Sequence, residues 1–169
     1  VGLLKSAALP KGMLMIENQF RIEVIAAKSL NLSAYLPKQS LRIFLSERGD
    51  DLSQVATSEK ILPLIDRLDK GRARQVAKAR AGVIDARTQD AKRIAGMQLD
   101  QISTQAKTAF GDYMNKEIGR LVRLQAVNPN VRDDEILALE QRKSQGLQAL
   151  DSLSLVPDSI RVLVTVAPD

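Results

Sequence analysis

The 169-residue sequence contains neither cysteine nor histidine. Without cysteine there are no disulfides, no thiolate zinc ligands and no thiol nucleophile. Without histidine the commonest general base and the commonest metal-binding side chain are also missing. Any chemistry would therefore depend on carboxylates, lysine, serine, threonine or tyrosine, and an ordinary Ser-His-Asp triad is excluded.

Aromatic residues and long apolar runs are also scarce. With two Tyr, three Phe and no Trp, the core must be largely aliphatic, which favours a helix-rich domain. No uncharged apolar run approaches the roughly 18 residues of a membrane span, so no membrane partner is predicted. The opening "VGLLKSAALPKG" has no secretion-signal pattern and no initiator Met. We interpret the chain as a fragment of a longer protein and expect it in the cytoplasm.

The composition is that of an ordinary globular chain. Apolar residues make up 44% and charged residues 27% of the sequence, enough for one domain over residues 1–169. The formal net charge of +5 is compatible with an acidic partner.

Alternation of apolar and polar residues predicts strands at both ends of the chain. In "MLMIENQFRIEVIAA" the apolar positions share one parity, and Asn18 interrupts them, which allows a bulge or kink. They are Leu14, Ile16, Phe20, Ile22 and Val24. "LRIFLS" (41–46) predicts a second strand, "LSQVAT" (52–57) a short third one, and "IRVLVTV" (160–166) the last.

Between these strands the period becomes helical. Ser58 is a candidate cap ahead of "EKILPLIDRL". A helical region then runs from Arg72 to about Val127, and a last helix from Val131 to about Leu150, ending before "SLVPDS". The long region carries a narrow, alanine-rich stripe that predicts packing within the domain or, alternatively, a dimerising coiled coil. The stripe consists of Ile84, Ala91, Ala95, Ile102, Ala106, Ala109 and Tyr113. Tyr35 and Tyr113 are interpreted as packing residues.

Chain geometry constrains the fold. One straight helix over residues 72–127 would be roughly 80 Å long, and the last helix returns only about 30 Å. Since the final strand needs a sheet, we predict a reversal between Gly82 and Gly96, with a sharply bent or kinked helix as the alternative. The predicted class is α+β: a small, mainly antiparallel sheet of two N-terminal strands plus the C-terminal strand, with about three long antiparallel helices.

The stretch "NPNVRDDEILALE" contains three consecutive acids, Asp133, Asp134 and Glu135. They suit a metal or acid–base site, or the first turn of a helix capped by Asn130. Successive helical residues point about 100° apart, so three neighbours do not converge on one ion. The helix start is therefore preferred. No phosphate-binding loop is present either. We predict no catalytic, cofactor or metal site in this chain.

A basic run follows residue 69 and supplies the only candidate contact residues. They are Arg72, Arg74, Lys78, Arg80, Arg87, Lys92 and Arg93. The functional interpretation is contact with DNA, RNA or another partner. The alternative is a solvated helix surface with cross-turn ion pairs, because aromatics for base stacking are not interleaved.

"LQAVNPNVRDDEILALE", followed about twenty residues later by "IRVLVTV", and "LPKGMLMIE" near the start resemble the C-terminal domain of the RapA family. These are bacterial RNA-polymerase-associated ATPases of the SWI/SNF helicase-like group. The resemblance implies an accessory, non-catalytic domain of an ATP-dependent transcription activator that recycles RNA polymerase. The implied partners are the polymerase and the parent's ATPase lobes, and the lobes would bind ATP and Mg²⁺ upstream. Two alternatives stay open: a helical nucleic-acid-binding module, or an unrelated helical adaptor.

Overall fold

The computed structural model describes residues 1–168. The chain forms two compact units. The first comprises Val1–Arg21, Ser40–Met97 and the chain from Val156 onward, and the second comprises Ile22–Gln39 and Gln98–Leu155. That residues 1–169 act as a single domain stays a prediction.

The described residues form five strands, four α-helices and three short 3₁₀ segments. The strands are β1 (Gly2–Lys5), β2 (Leu14–Glu23), β3 (Leu41–Ser46), β4 (Ile65–Arg67) and β5 (Ser154–Val166). The helices are α1 (Ser58–Ile61), α2 (Lys70–Ala79), α3 (Ala81–Gln125) and α4 (Asp133–Asp151). The 3₁₀ segments are Lys28–Leu30, Leu32–Tyr35 and Leu62–Leu64.

The strands make one mixed sheet in the order β3-β2-β5-β1-β4. β2 and β3 pair antiparallel, β1 pairs parallel with β5, and β4 pairs antiparallel with β1. The α+β class and the meeting of the N-terminal hairpin with the C-terminal strand are thus confirmed. The sequence interpretation missed β1 and β4, which have only four and three residues and are too short to show a period.

Two local strand predictions are wrong. β2 has no bulge at Asn18, because its register with β3 is continuous and pairs Asn18 with Ile43. Residues 52–57 form a turn rather than a strand, with a single bridge from Asp51 to the edge strand β3. There the Ser53 hydroxyl accepts from the Phe44 N–H at 2.9 Å, so a side chain takes the place of a strand partner.

The segment "EKILPLIDRL" is not one helix. Ser58 is the first residue of α1, and Thr57 occupies the cap position. α1 ends at Ile61, and a 3₁₀ turn with Pro63 leads directly into β4. Pro63 lacks the N–H that a continuing helix would need.

The predicted reversal between Gly82 and Gly96 is also wrong. α3 runs unbroken for 45 residues, about 68 Å at 1.5 Å per residue. The helical region is interrupted before α3 begins, at Arg80, where a φ of −117° and a ψ of 17° end α2.

β5 begins at Ser154, six residues earlier than predicted, and it continues through Pro157. A proline is tolerated in a strand where its missing N–H faces no partner. β1 pairs only with Leu163–Val166, so the first half of β5 has no β1 neighbour on that side. Pro157 therefore sits in the half of the strand where a lost donor costs least.

Each unit has its own core. In the first unit Met13 and Met15 point to one face of the sheet, and Leu14 and Ile16 to the other. The first cluster also contains Leu4, Phe44, Ile61 and Leu163, and the second contains Val162 with Val76, Val83 and Ile84 packed against it. Both faces of the sheet are therefore covered.

In the second unit α3 and α4 form an antiparallel pair. Its core contains Leu30, Leu32, Ala106, Phe110, Met114 and Leu150. Ser103 Oγ donates to the Leu150 carbonyl at 2.7 Å. Gly146 lies so close to Phe110 that a Cβ there would be 2.2 Å from its ring. This contact sets how closely the two helices approach.

The alanine-rich stripe is confirmed in part. Ala91, Ala95 and Ala106 are buried. Ala109 is exposed and Tyr113 is 49% exposed, so packing moves to Phe110 and Met114. Tyr35 does pack, edge-on to the Phe110 ring at 5.4 Å.

Candidate docking surfaces

The seven candidate basic residues all lie in the first unit, on α2, at the α2–α3 junction and on the first part of α3. Arg72, Arg74 and Lys78 belong to α2, Arg80 is its last cap residue, and Arg87, Lys92 and Arg93 belong to α3. Arg74 and Lys78 are four residues apart and share one helix face. Lys92 and Arg93 begin about three turns into α3. The structure thus separates the candidates into two pairs and three individual residues.

Three of the seven cations are already paired with acids. Arg72 pairs with Asp69 at 3.3 Å, and Asp69 also caps α2 by accepting from the Arg72 N–H at 3.0 Å. Arg80 pairs with Glu47, and Arg87 with Asp90 at 3.1 Å.

Arg87 also has a packing role. Its guanidinium lies where a side chain at Gly49 would project: a Cβ there would be 2.5 Å from Nη1. Gly49 has a φ of +96°, a conformation that glycine adopts without strain. The Arg87 side chain therefore lies against the turn at Gly49 as well as pairing with Asp90.

Arg74, Lys78, Lys92 and Arg93 are exposed, and within residues 1–168 they have no ion-pair partner. We call these four residues the free basic set. Because their charge is uncompensated, they are the part of the predicted contact region that is available to a phosphate or carboxylate.

The acidic triplet begins α4, as predicted. Asp133, Asp134 and Glu135 occupy its first turn, where unpaired N–H groups favour negative charge. The predicted cap at Asn130 is wrong, because Arg132 holds that position. Glu135 Oε1 accepts from the Arg132 backbone N–H at 3.2 Å. The acidic side chain therefore provides a hydrogen-bond partner for one of the backbone N–H groups at the start of α4.

The three acids do not converge. Asp133 accepts from Gln125 Nε2 at 2.7 Å, and Asp134 pairs with Arg132 at 3.3 Å. In the part of the chain that the structure describes, no group of three acidic side chains is placed to hold a metal ion.

The sequence interpretation missed a buried charge cluster in the sheet. The side chain of Glu17 is 2% exposed; one oxygen accepts from Arg42 Nε, and the other lies 3.2 Å from Arg161 Nη1. The Arg42 guanidinium also lies 4.9 Å from the centre of the Phe44 ring. Three strands, β3, β2 and β5, are joined by this one carboxylate.

The burial of Glu17 could not be predicted from the local sequence, because the arginines around it come from β3 and β5. Two guanidinium groups donate to its oxygens. The cluster therefore acts as a clamp that ties three strands of the sheet together.

A second surface lies on α3 in the second unit. Tyr113 is 49%, Leu124 40% and Val127 80% exposed. Tyr113 and Leu124 share that stretch of helix with Lys116, Arg120 and Arg123, which are also exposed, and Val127 lies in the turn after the helix. No helix within residues 1–168 is both long and apolar enough to cross a bilayer.

Comparison with known proteins identifies related chains. Residues 1–165 match the family described as "RNA polymerase recycling family C-terminal". RNA polymerase-associated protein RapA of Pseudomonas putida KT2440 is 35% identical over 170 residues, and that of Pseudomonas fluorescens SBW25 is 34% identical over 165 residues. The protein of the same name from Pseudomonas aeruginosa LESB58 is 32% identical over 164 residues. Each match covers 97% of this chain but only 17% of the relative.

Proposed function

The chain belongs to the C-terminal family of RNA polymerase recycling proteins, and from this we propose that it is a non-catalytic accessory domain of a bacterial ATP-dependent transcription regulator. It would dock on RNA polymerase, on the regulator's own ATPase lobes, or on both, in the cytoplasm. The supporting observation is the family match over residues 1–165. Family membership also argues against an unrelated adaptor.

The chain spans about one sixth of the length of its relatives. In this proposal the remaining five sixths of the full-length protein contain the ATPase lobes. ATP and Mg²⁺ are assigned to those upstream lobes, because the residues present here do not fit a nucleotide site. The sequence has no phosphate-binding loop, and the buried carboxylate of Glu17 is already held by two arginines.

An ATPase assay of residues 1–169 alone tests the non-catalytic part of the proposal. We expect no turnover above background, and turnover that persists through further purification would contradict it. Removing this domain from the full-length protein tests docking. We expect a loss of about tenfold or more in affinity for core RNA polymerase or, if the domain docks on the lobes, a changed ATPase rate. Unchanged values for both would refute a docking role.

The free basic set favours a second candidate function, direct contact with nucleic acid. Four exposed cations that have no acid partner among the described residues (Arg74, Lys78, Lys92 and Arg93) would each neutralise a phosphate and release counterions. Such binding weakens steeply with salt.

Fluorescence anisotropy with a short labelled single-stranded DNA tests this function between about 50 and 200 mM salt. We expect Arg74→Gln with Lys78→Gln to weaken binding and to make its salt dependence shallower. The matched control, Arg72→Gln with Arg80→Gln, removes two cations already paired with acids and should have a smaller effect. No binding by the unmodified chain at the lowest salt would remove the candidate.

A further inference from the structure

One face of α3 in the second unit carries exposed apolar and cationic residues together. We call it the Tyr113 face; it consists of Tyr113, Lys116, Arg120, Arg123 and Leu124 on α3, together with Val127 in the turn that follows the helix. At 100° per residue the five helical positions fall within about a third of the helix circumference. From Tyr113 to Leu124 the face is about 17 Å long at 1.5 Å per residue.

This face differs from the side of α3 that packs on α4. The packed side carries Phe110 and Met114, each 1% exposed, and its polar contacts run from Ser103 to the Leu150 carbonyl. The Tyr113 face is turned away from those contacts, since its members are exposed. Within the second unit, therefore, no packing explains its apolar residues.

The face carries an exposed aromatic side chain. Among the five aromatic residues, Phe20, Phe44 and Phe110 are buried and Tyr35 is half-buried, while Tyr113 is 49% exposed. Val127, 80% exposed, lies in the turn directly after the helix. Single exposed apolar residues occur elsewhere in the chain and are ordinary; what sets this face apart is that Tyr113 and Leu124 share it with three cations.

The charge of the face is positive. Lys116, Arg120 and Arg123 are its ionised members, and only Arg120 is paired, with Glu117 at 2.9 Å. Lys116 and Arg123 have no ion-pair partner within residues 1–168. Tyrosine and arginine are also the residues most enriched at the centres of protein interfaces.

We propose that the Tyr113 face docks an acidic protein surface that also presents apolar side chains. The aliphatic residues Leu124 and Val127 favour a protein over a nucleic acid, whose phosphates do not reward aliphatic contact. One tyrosine is also too little for a base-stacking platform. This inference rests on the proposed docking function and names the surface that performs it. A single helix face of this length fits a small, transient contact.

The test measures affinity of the full-length protein for purified core RNA polymerase. Arg120→Glu with Arg123→Glu should weaken binding about tenfold or more at low salt, because like charges would then meet. Leu124→Gln with Val127→Gln should weaken binding with little change in its salt dependence. All four residues are exposed, so the thermal unfolding temperature should hardly change.

The matched control is Lys11→Glu with Lys38→Glu, which makes the same change in net charge at two exposed positions outside both candidate surfaces and should alter polymerase affinity less than about twofold. Equal losses in the control and in the Arg120→Glu, Arg123→Glu variant would overturn the proposal. The proposal would also be overturned if the Arg120→Glu, Arg123→Glu variant kept its affinity for polymerase but lost affinity for a short single-stranded RNA. If the unmodified protein binds polymerase and the face variants bind equally well, the proposal for the Tyr113 face is wrong, while docking on polymerase stands. If the unmodified protein does not bind polymerase, both the proposal for the Tyr113 face and docking on polymerase are wrong.

Discussion

Gly146 gives the sharpest test of how α3 and α4 pack. A Cβ at this position would lie 2.2 Å from Phe110 Cε1 and 2.3 Å from Cζ, whereas carbon atoms pack at about 3.5–4.0 Å. Gly146→Ala must therefore separate the helices or move the ring by more than about 1 Å. The ring is 1% exposed and makes its edge contact with Tyr35, so it has little room to yield.

The expected size follows from three terms. Overpacking a buried site costs about 1–3 kcal/mol, and disturbing the aromatic pair about 0.5–1.5 kcal/mol more. Replacing glycine by alanine inside a helix returns about 1 kcal/mol. We therefore expect Gly146→Ala to lower the free energy of unfolding by about 0.5–3.5 kcal/mol.

Gly96 is the matched control within α3. A Cβ there would meet nothing within 4 Å, so Gly96→Ala should raise the free energy of unfolding by about 0.4–1 kcal/mol. The same chemical change is thus predicted to have opposite signs at two helical glycines.

Urea unfolding followed by far-UV circular dichroism measures both, since the chain has no tryptophan. If the two units unfold separately, the transition of the second unit is the one to compare for Gly146. Adding Phe110→Leu to Gly146→Ala should cost less than the sum of the single changes, with a coupling of about 1 kcal/mol. Strict additivity, or stabilisation by Gly146→Ala equal to that by Gly96→Ala, would refute the packing argument.

Two further predictions concern charge. Glu17→Gln should lower the free energy of unfolding by about 3–5 kcal/mol, because it leaves the largely buried Arg42 guanidinium uncompensated. Lys107→Gln, which removes an exposed ion pair with Asp151, should cost under about 1 kcal/mol in the same urea titration; equal losses would contradict the clamp. Asp133→Asn with Asp134→Asn should cost about 0.5–2 kcal/mol at low ionic strength through the helix dipole. Thermal unfolding of that variant with and without Mg²⁺ should show no metal-dependent difference from the unmodified chain; a difference would restore the metal interpretation.

The sequence predicted the elements whose signal is local and repeated. The alternation in β2 and β3 and the acidic first turn of α4 were all visible, because each depends on neighbouring residues. β1 and β4 were not, since three or four residues carry no measurable period. They exist because the sheet supplies partners from distant parts of the chain.

The errors in the helical region have a different cause. Gly82 and Gly96 suggested a reversal, yet both lie within α3 with nothing near their Cβ positions. A glycine weakens a helix by only about 1 kcal/mol, and packing elsewhere along α3 outweighs it. Pro157 likewise suggested a break in regular structure. β5 nevertheless continues through it, because the first half of this strand has no β1 neighbour.

The candidate site was predictable only as composition. The sequence placed the basic run in a helical region, and α2 and α3 confirm that secondary structure. It did not show which cations are paired, because Glu47 and Arg80 are far apart in the chain. The Tyr113 face was hidden for a related reason. Tyr113 continued the alanine-rich stripe by spacing, and only the position of α4 shows that packing follows Phe110 and Met114.

The position of β5 has a consequence for synthesis on the ribosome. This strand lies between β2 and β1 in the sheet, yet it is the last of the five to be translated. Until residues 154–166 emerge from the exit tunnel, the β2–β3 hairpin and the β1–β4 pair have no common neighbour. Each is then a two-stranded fragment with an open edge, which is marginal in water. The nascent chain must therefore keep both fragments from pairing with other chains during synthesis, and a premature stop before residue 154 would leave them permanently apart.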